Sequence, residues 1–166
     1  MPLEIIENKS LSSLHTFGAS VVTTYYTEAH TISNLKEALM TTHQPKLILG
    51  GGSNMLFTGN YAGLVIRNCI MGINIIEEDE NFAILSVGGG VIWQDLVEYS
   101  MSQNLGGIQN LSLIPGTVGA APIQNIGAYG VEFDTVFVSL EALNVNTGKL
   151  RSFSKDECEF SYRHSI

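Results

Sequence analysis

Strand and helix patterns alternate along the first seventy residues. The run VVTTYY at residues 21–26 is β-branched and aromatic, which suits a pleated surface and predicts a strand. Over residues 33–43 the period changes. Leu35 and Leu39 fall on one face there, and Asn34 and Glu37 stand at capping-box spacing, so a helix is predicted. Pro45 separates it from KLILG, a short buried strand that ends in glycines, and GLVIRN at residues 63–68 predicts the next strand. Together these make a β-α-β-β unit.

After Cys69 the texture shifts. INIIEE and FAILSV are extended runs separated by the polar turn DEN, a hairpin signal. Gly88, Gly89 and Gly90 end the second run. A helix is predicted over residues 91–103, with Ile92, Leu96 and Val97 as its apolar face and Gly106-Gly107 as its stop. Further on, VFVSLEALNV and LRSFS flank NTGK, a second hairpin signal. Ser154 and Glu157 form a capping box for one last helical turn, and FSYRHSI reads as a final strand. The expectation is a mixed α+β chain in two lobes, residues 1–68 and 69–166, joined over residues 68–71.

Composition narrows what such a chain can do. At 166 residues it can bury a real core. No apolar run approaches a membrane span, and MPLEIIENKS lacks a basic region followed by an apolar core, so a cytoplasmic protein without a signal peptide is expected. Cys69 and Cys158 read as two buried thiols rather than a disulfide. His15, His30 and His43 have no carboxylate or cysteine at ligand spacing, and no metal site is expected. The net charge of −8 opposes a nucleic-acid or anionic-membrane partner. It leaves room for a small anionic ligand held by main-chain N–H groups.

Two uncharged, glycine-rich stretches carry the candidate chemistry. In LGGGSNMLF, three glycines leave a buried strand and are followed by Ser53 and Asn54. Glycine permits positive φ and close approach, so successive N–H groups can converge on an anion. The dinucleotide fingerprint fails here because Met55 stands where a glycine is required, and the P-loop fails for want of Gly-Lys-Ser/Thr. Taken alone, the stretch reads equally as an anion cradle or an ordinary glycine turn. The second stretch is IPGTVGAAPIQNIGAYG, residues 114–130. Pro115-Gly116 sets a turn, and Gly119, Ala120 and Ala121 let backbone approach a flat ligand. Gln124 and Asn125 can each donate and accept, as the polar edge of a heterocycle requires. A tightly packed crossover would use the same small residues. Finding both loops in one short chain favours a dinucleotide-like ligand.

LGGGSNMLF, LIPGTVGAAPIQNIGAYGVE and FSYRHSI, in this order, together with HTFG at residues 15–18, resemble the UDP-N-acetylenolpyruvoylglucosamine reductases of peptidoglycan synthesis. PIQNIGAYGVE is similar to their type I branch. The resemblance spans essentially the whole chain. It implies a two-lobed α+β FAD-binding fold of the vanillyl-alcohol-oxidase type, with FAD between the lobes. Carried over, Gly50, Gly51, Gly52, Ser53 and Asn54 would hold the pyrophosphate. Ile114, Pro115, Gly116, Thr117, Gly119, Ala120 and Ala121 would line further pyrophosphate and flavin contacts, and Gln124, Asn125, Ile126 and Gly127 would bound the isoalloxazine side.

The family reaction passes hydride from NADPH to FAD and then to the enolpyruvyl double bond of a nucleotide sugar. Arg163 matches the family's active-site arginine, suited to the substrate carboxylate, and Tyr162 matches its neighbour at the substrate pocket. Without the resemblance, Arg163 would read as a solvated surface arginine. His164 and Ser165 receive no role. The family continues past the point matching Ile166 into a third, substrate-binding domain that carries its proton-donating serine and assisting glutamate. The 166-residue chain is therefore expected to bind FAD, turn over little, and self-associate through an exposed edge at residues 162–166.

Overall fold

Strand β1 (Ile6–Ser10) opens a four-stranded sheet in the computed structural model, which describes residues 3–166. Met1 and Pro2, at the start of the expected first lobe, lie outside the described residues. β2 (Val22–Ala29), helix α1 (Ile32–Met40), β3 (Lys46–Leu49) and β4 (Tyr61–Asn68) follow. The sheet order is β1-β2-β4-β3, with β1 antiparallel to β2 and both β2 and β3 parallel to β4. Sequence analysis missed β1, because IENKS is mostly exposed and carries no apolar alternation; pairing alone defines it.

β4 explains the packing of this sheet. Leu64 and Ile66 pack with Ala29, Ala38 and Leu39, and Val65 packs with Leu11, Tyr26, Leu49 and Phe57. Successive side chains point to opposite faces, and both faces are covered, so the strand reads as an unbroken apolar run. The cap of α1 differs from the expected one. Thr31 is the N-cap, its Oγ1 accepting from Asn34 N–H at 3.0 Å, and Thr41 closes the helix by donating from Oγ1 to Ala38 O at 2.8 Å.

The second half begins with the hairpin of β5 (Ile73–Glu78) and β6 (Ala83–Val87), whose turn is fixed by Asp79 Oδ1 accepting from Asn81 and Phe82 N–H. Helix α2 (Trp93–Ser102) ends on Asn104 in the left-handed region. Leu105 N–H returns to Ser100 O and Asn104 N–H to Met101 O, a Schellman closure that stops the helix before the expected Gly106-Gly107. Trp93 anchors the core with Leu96, Val97, Ile108 and Leu111, its indole Nε1–H donating to Leu111 O at 2.8 Å. The short pair β7 (Gly127–Ala128) and β8 (Val131–Glu132) follows, then the pair β9 (Ser139–Leu143) and β10 (Leu150–Ser154).

The chain divides into two compact units. One runs to Ile70 and includes Leu143–Lys149; the other comprises Met71–Ala142 and Leu150–Ile166. The expected boundary at 68/69 takes no account of Leu143–Lys149, the last residue of β9 and the turn that leads to β10. Leu143 packs on the Leu64–Ile66 cluster, and a Cβ on Gly148 would come within 3.3 Å of Lys36 and Met40 side-chain atoms. No helix among the described residues is long and apolar enough to cross a membrane.

One expected element is absent. FSYRHSI does not form a strand: Ser161 and His164 exchange main-chain hydrogen bonds at 3.0 and 3.1 Å around a tight turn at Tyr162-Arg163. Arg163 adopts φ of 54°, which no strand accommodates. The strand edge expected at residues 162–166 is therefore not there to support self-association.

Candidate functional site

In the first unit, the glycine stretch leaves β3 as a loop held from below by HTFG. Thr16 N–H donates to Gly52 O at 3.2 Å, and Thr16 Oγ1 lies 3.4 Å from Gly52 O and 3.3 Å from Ser53 O. His15 is buried beneath the loop, its Nε2 3.3 Å from Ala19 O and its ring edge-on to Phe57. Gly52 has φ of +65°, and a Cβ there would collide with Leu14 O and sit 2.8 Å from His15 Cα. The glycine is required by close approach of two backbone segments as much as by any ligand. The hydrogen bonds among the described residues use the carbonyls of this loop, but none uses the N–H of Gly51, Gly52 or Ser53.

In the second unit, the uncharged ribbon is docked onto GGGVIW by main-chain pairing. Trp93 N–H donates to Gly116 O, Val118 N–H to Val91 O and Gly119 N–H to Gly89 O, at 2.9–3.0 Å. A Cβ on Gly119 would lie 2.8 Å from Gly89 O, so packing against Gly89 already requires this glycine. Among the described residues, the N–H groups of Gly116 and Thr117 find no protein acceptor; Thr117 faces Ile92 at a position that leaves its own N–H unpaired. Ile114 and Ile126 pack on the Trp93 cluster, Ala121 is buried, and Pro115, Gln124 and the exposed Ile123 face outward. Ala120 lies in the seven-residue 3-10 helix Val118–Gln124.

Asn125 has a different role from its neighbour. It is 1 % exposed with φ of 39°, and its amide is fully committed within the protein. Nδ2 donates to Glu132 Oε2 at 3.1 Å and Ser161 O at 3.2 Å, while Oδ1 accepts from Asp134 N–H at 3.0 Å. The residue therefore fastens the ribbon to the arginine turn rather than presenting its amide to a ligand. Two further bonds do the same: Arg163 Nη2 donates to Gly127 O at 2.6 Å, and Ser165 Oγ to Ile123 O at 3.1 Å.

Two motifs that are well separated in sequence are thus one local structure. Arg163 and Tyr162 line an open cavity of about 560 Å³ with residues of β7, β8 and the turn between them, including Tyr129 and Glu132, and with Asp134 of the helical turn Phe133–Thr135 that follows β8. Tyr129 and Tyr162 are almost fully exposed, and the Arg163 guanidinium lies 5.7 Å from the Tyr162 ring centroid. Arg163 has no carboxylate partner among the described residues and keeps donors for an anionic group. Sequence analysis missed Thr16, Glu132 and Asp134. The HTFG signature was the available signal for Thr16; nothing marked the two acids.

An α+β chain with two uncharged loops that offer unpaired amides, and a positioned arginine beside one of them, has the features of a domain that binds an anionic cofactor. Comparison with known proteins makes the class specific: the chain belongs to the FAD binding domain family, whose model matches residues 22–154. It is similar to the UDP-N-acetylenolpyruvoylglucosamine reductase of Amoebophilus asiaticus, 50% identical over 167 residues that cover 99% of this chain and 49% of that protein. The protein of the same name from Pseudomonas fluorescens (strain Pf0-1) is 45% identical over 169 residues, covering 100% of this chain and 50% of that one. Among solved structures, UDP-N-acetylenolpyruvylglucosamine reductase from Thermus caldophilus matches with a TM-score of 0.76 at 25% identity, over 99% of this chain and 57% of the other. The chain spans about half the length of the curated relatives it matches.

FAD is the cofactor of this family, and the residues present fit it. Each unit by itself offers uncommitted N–H groups, those of Gly51, Gly52 and Ser53 in the first and those of Gly116 and Thr117 in the second, which can meet phosphate charge without a basic side chain.

Proposed function

We propose that this chain is the flavin-binding part of an NADPH-dependent reductase acting on UDP-N-acetylenolpyruvoylglucosamine. The observation that carries the reading is the joining of the ribbon to the arginine turn through Asn125, Gly127 and Ile123. The arginine suited to a substrate carboxylate is held by the same backbone that is assigned to the flavin.

In this reading Gly50, Gly51, Gly52, Ser53 and Asn54 bind phosphate through main chain and short side chains, with Thr16 fixing the loop. Ile114, Pro115, Gly116, Thr117, Gly119, Ala120 and Ala121 form the ribbon's contact surface, and Gln124, Ile126 and Gly127 bound the ring system, with Asn125 as their brace. When bound, the flavin supplies hydride transfer between the nicotinamide and the enolpyruvyl carbon. Arg163 orients the enolpyruvyl carboxylate and stabilises charge that develops toward it, because its guanidinium stays charged and is pinned by Gly127 O. Tyr162, exposed at the same turn, packs against the substrate. Because the chain spans half the length of its relatives, it is assigned the cofactor and carboxylate contacts and, taken alone, little turnover.

The experiment is a visible-absorption titration of the FAD-loaded chain with UDP-N-acetylenolpyruvoylglucosamine. A saturable flavin perturbation that Arg163→Leu abolishes, with FAD still bound, is expected. Flavin binding with no perturbation by the nucleotide sugar would leave a cofactor-binding module and remove the substrate assignment.

A further inference from the structure

We infer that Glu28, His30 and Cys69 form a binding site for a divalent cation of borderline softness, of which Zn²⁺ is the type. Strand register creates it. β2 and β4 run parallel with Glu28 opposite Arg67 and Ala29 opposite Asn68, and Cys69 N–H extends the pairing by donating to Ala29 O at 2.9 Å. Alternate residues project to the same side, so Glu28 and His30 at the end of β2 stand beside Arg67 and Cys69 at the end of β4. One ligating atom from each of Glu28, His30 and Cys69 lies within 4.8 Å of the others. The expectation of no metal site considered spacing along the chain, and the cysteine arrives from a different strand.

Zinc bonds of about 2.0–2.3 Å place tetrahedral ligands about 3.5 Å apart, so closure requires shifts of about 1 Å. The His30 side chain is 54% exposed and free to make them. A carboxylate, an imidazole and a thiolate suit Zn²⁺ far better than Mg²⁺ or Ca²⁺, which take oxygen ligands. Three protein ligands leave a fourth position for water or an added anion.

The carboxylate is already oriented. Tyr26 Oη–H donates to Glu28 Oε1 at 2.7 Å and Arg67 Nη1 donates to the same oxygen at 3.3 Å, while Oε2 faces His30 Nε2 at 3.4 Å. Outer hydrogen bonds of this kind fix a ligand's direction. The Tyr26 hydrogen bond, with Arg67, holds the Glu28 carboxyl below the usual carboxylate range. Burial, and then Glu28, push the Cys69 thiol up, so an incoming ion displaces its proton. Arg67 is the cation that opposes the site; Glu28 and the thiolate outweigh it, and its guanidinium favours an anion in the fourth position.

Co²⁺ added to the full metal-free chain tests this. The expected result is a saturable thiolate-to-cobalt charge-transfer band with one ion per chain, displaced by Zn²⁺. Cys69→Ser abolishes it with an unchanged circular dichroism spectrum, and His30→Ala weakens Co²⁺ affinity by about tenfold or more. Cys158→Ser, which alters the other free cysteine, keeps the band. No band, a band that survives Cys69→Ser, or a band indifferent to His30→Ala would overturn the inference, the last because it would report a lone thiol.

Discussion

Thr16 is the residue whose function the structure changes most. Its side chain spans two carbonyls of the glycine loop at 3.3–3.4 Å, distances that mark weak bonds. Thr16→Ala is expected to cost about 0.5–1 kcal/mol in stability, yet to weaken FAD binding by about threefold to tenfold, because it frees a loop that the ligand needs ordered. Urea unfolding and flavin fluorescence measure the two effects separately. Glycines divide in the same way. Gly18 and Gly52 both have positive φ, but a Cβ on Gly18 meets nothing within 4 Å while one on Gly52 meets main chain. Gly18→Ala should cost about 1 kcal/mol for the left-handed backbone alone. Gly52→Ala should cost clearly more, since the backbone of Leu14 and His15 must move; equal midpoints for the two variants would refute that distinction.

At the level of elements, the capping box at Ser154 and Glu157 was legible and is present in reciprocal form. Ser154 N–H donates to Glu157 Oε2 at 2.9 Å, and Glu157 N–H lies 3.3 Å from Ser154 Oγ. The Ser154 N–H bond, with Arg151, holds the Glu157 carboxyl below its usual range. A depressed folded-state value contributes stability that is present above the unfolded pKa and lost as pH falls through the folded one. The protection factor of the Ser154 amide, its exchange rate relative to that of a free peptide at the same pH, should therefore be high at neutral pH and fall as Glu157 is protonated below the usual carboxylate range, and Glu157→Gln should remove that dependence. Both hairpin turns were also legible, from DEN and NTGK; in the structure Asp79 and Asn144, the latter read as part of a strand, fix them by accepting from N–H groups two and three residues on. β1 and the arginine turn were not. The first is defined by cross-strand pairing alone, and the second places an arginine at positive φ, which its sequence does not advertise. The glycines at 52 and 119 were legible as sites of close approach, but the approaching partner in each case is another backbone segment of the protein.

Over the whole molecule, a chain of net charge −8 that belongs to an FAD-binding family must meet the cofactor's phosphates with something other than a basic surface. Main-chain amides are suited to that, since they carry fixed partial charges and need no mobile lysine. The measurement that tests this most directly is two-dimensional amide NMR of the isotopically labelled chain during an FAD titration, with flavin absorbance read alongside. The account predicts that the Gly51, Gly52, Ser53, Gly116 and Thr117 resonances shift and saturate with the flavin spectrum. Saturable flavin binding that leaves those five resonances in place would contradict it.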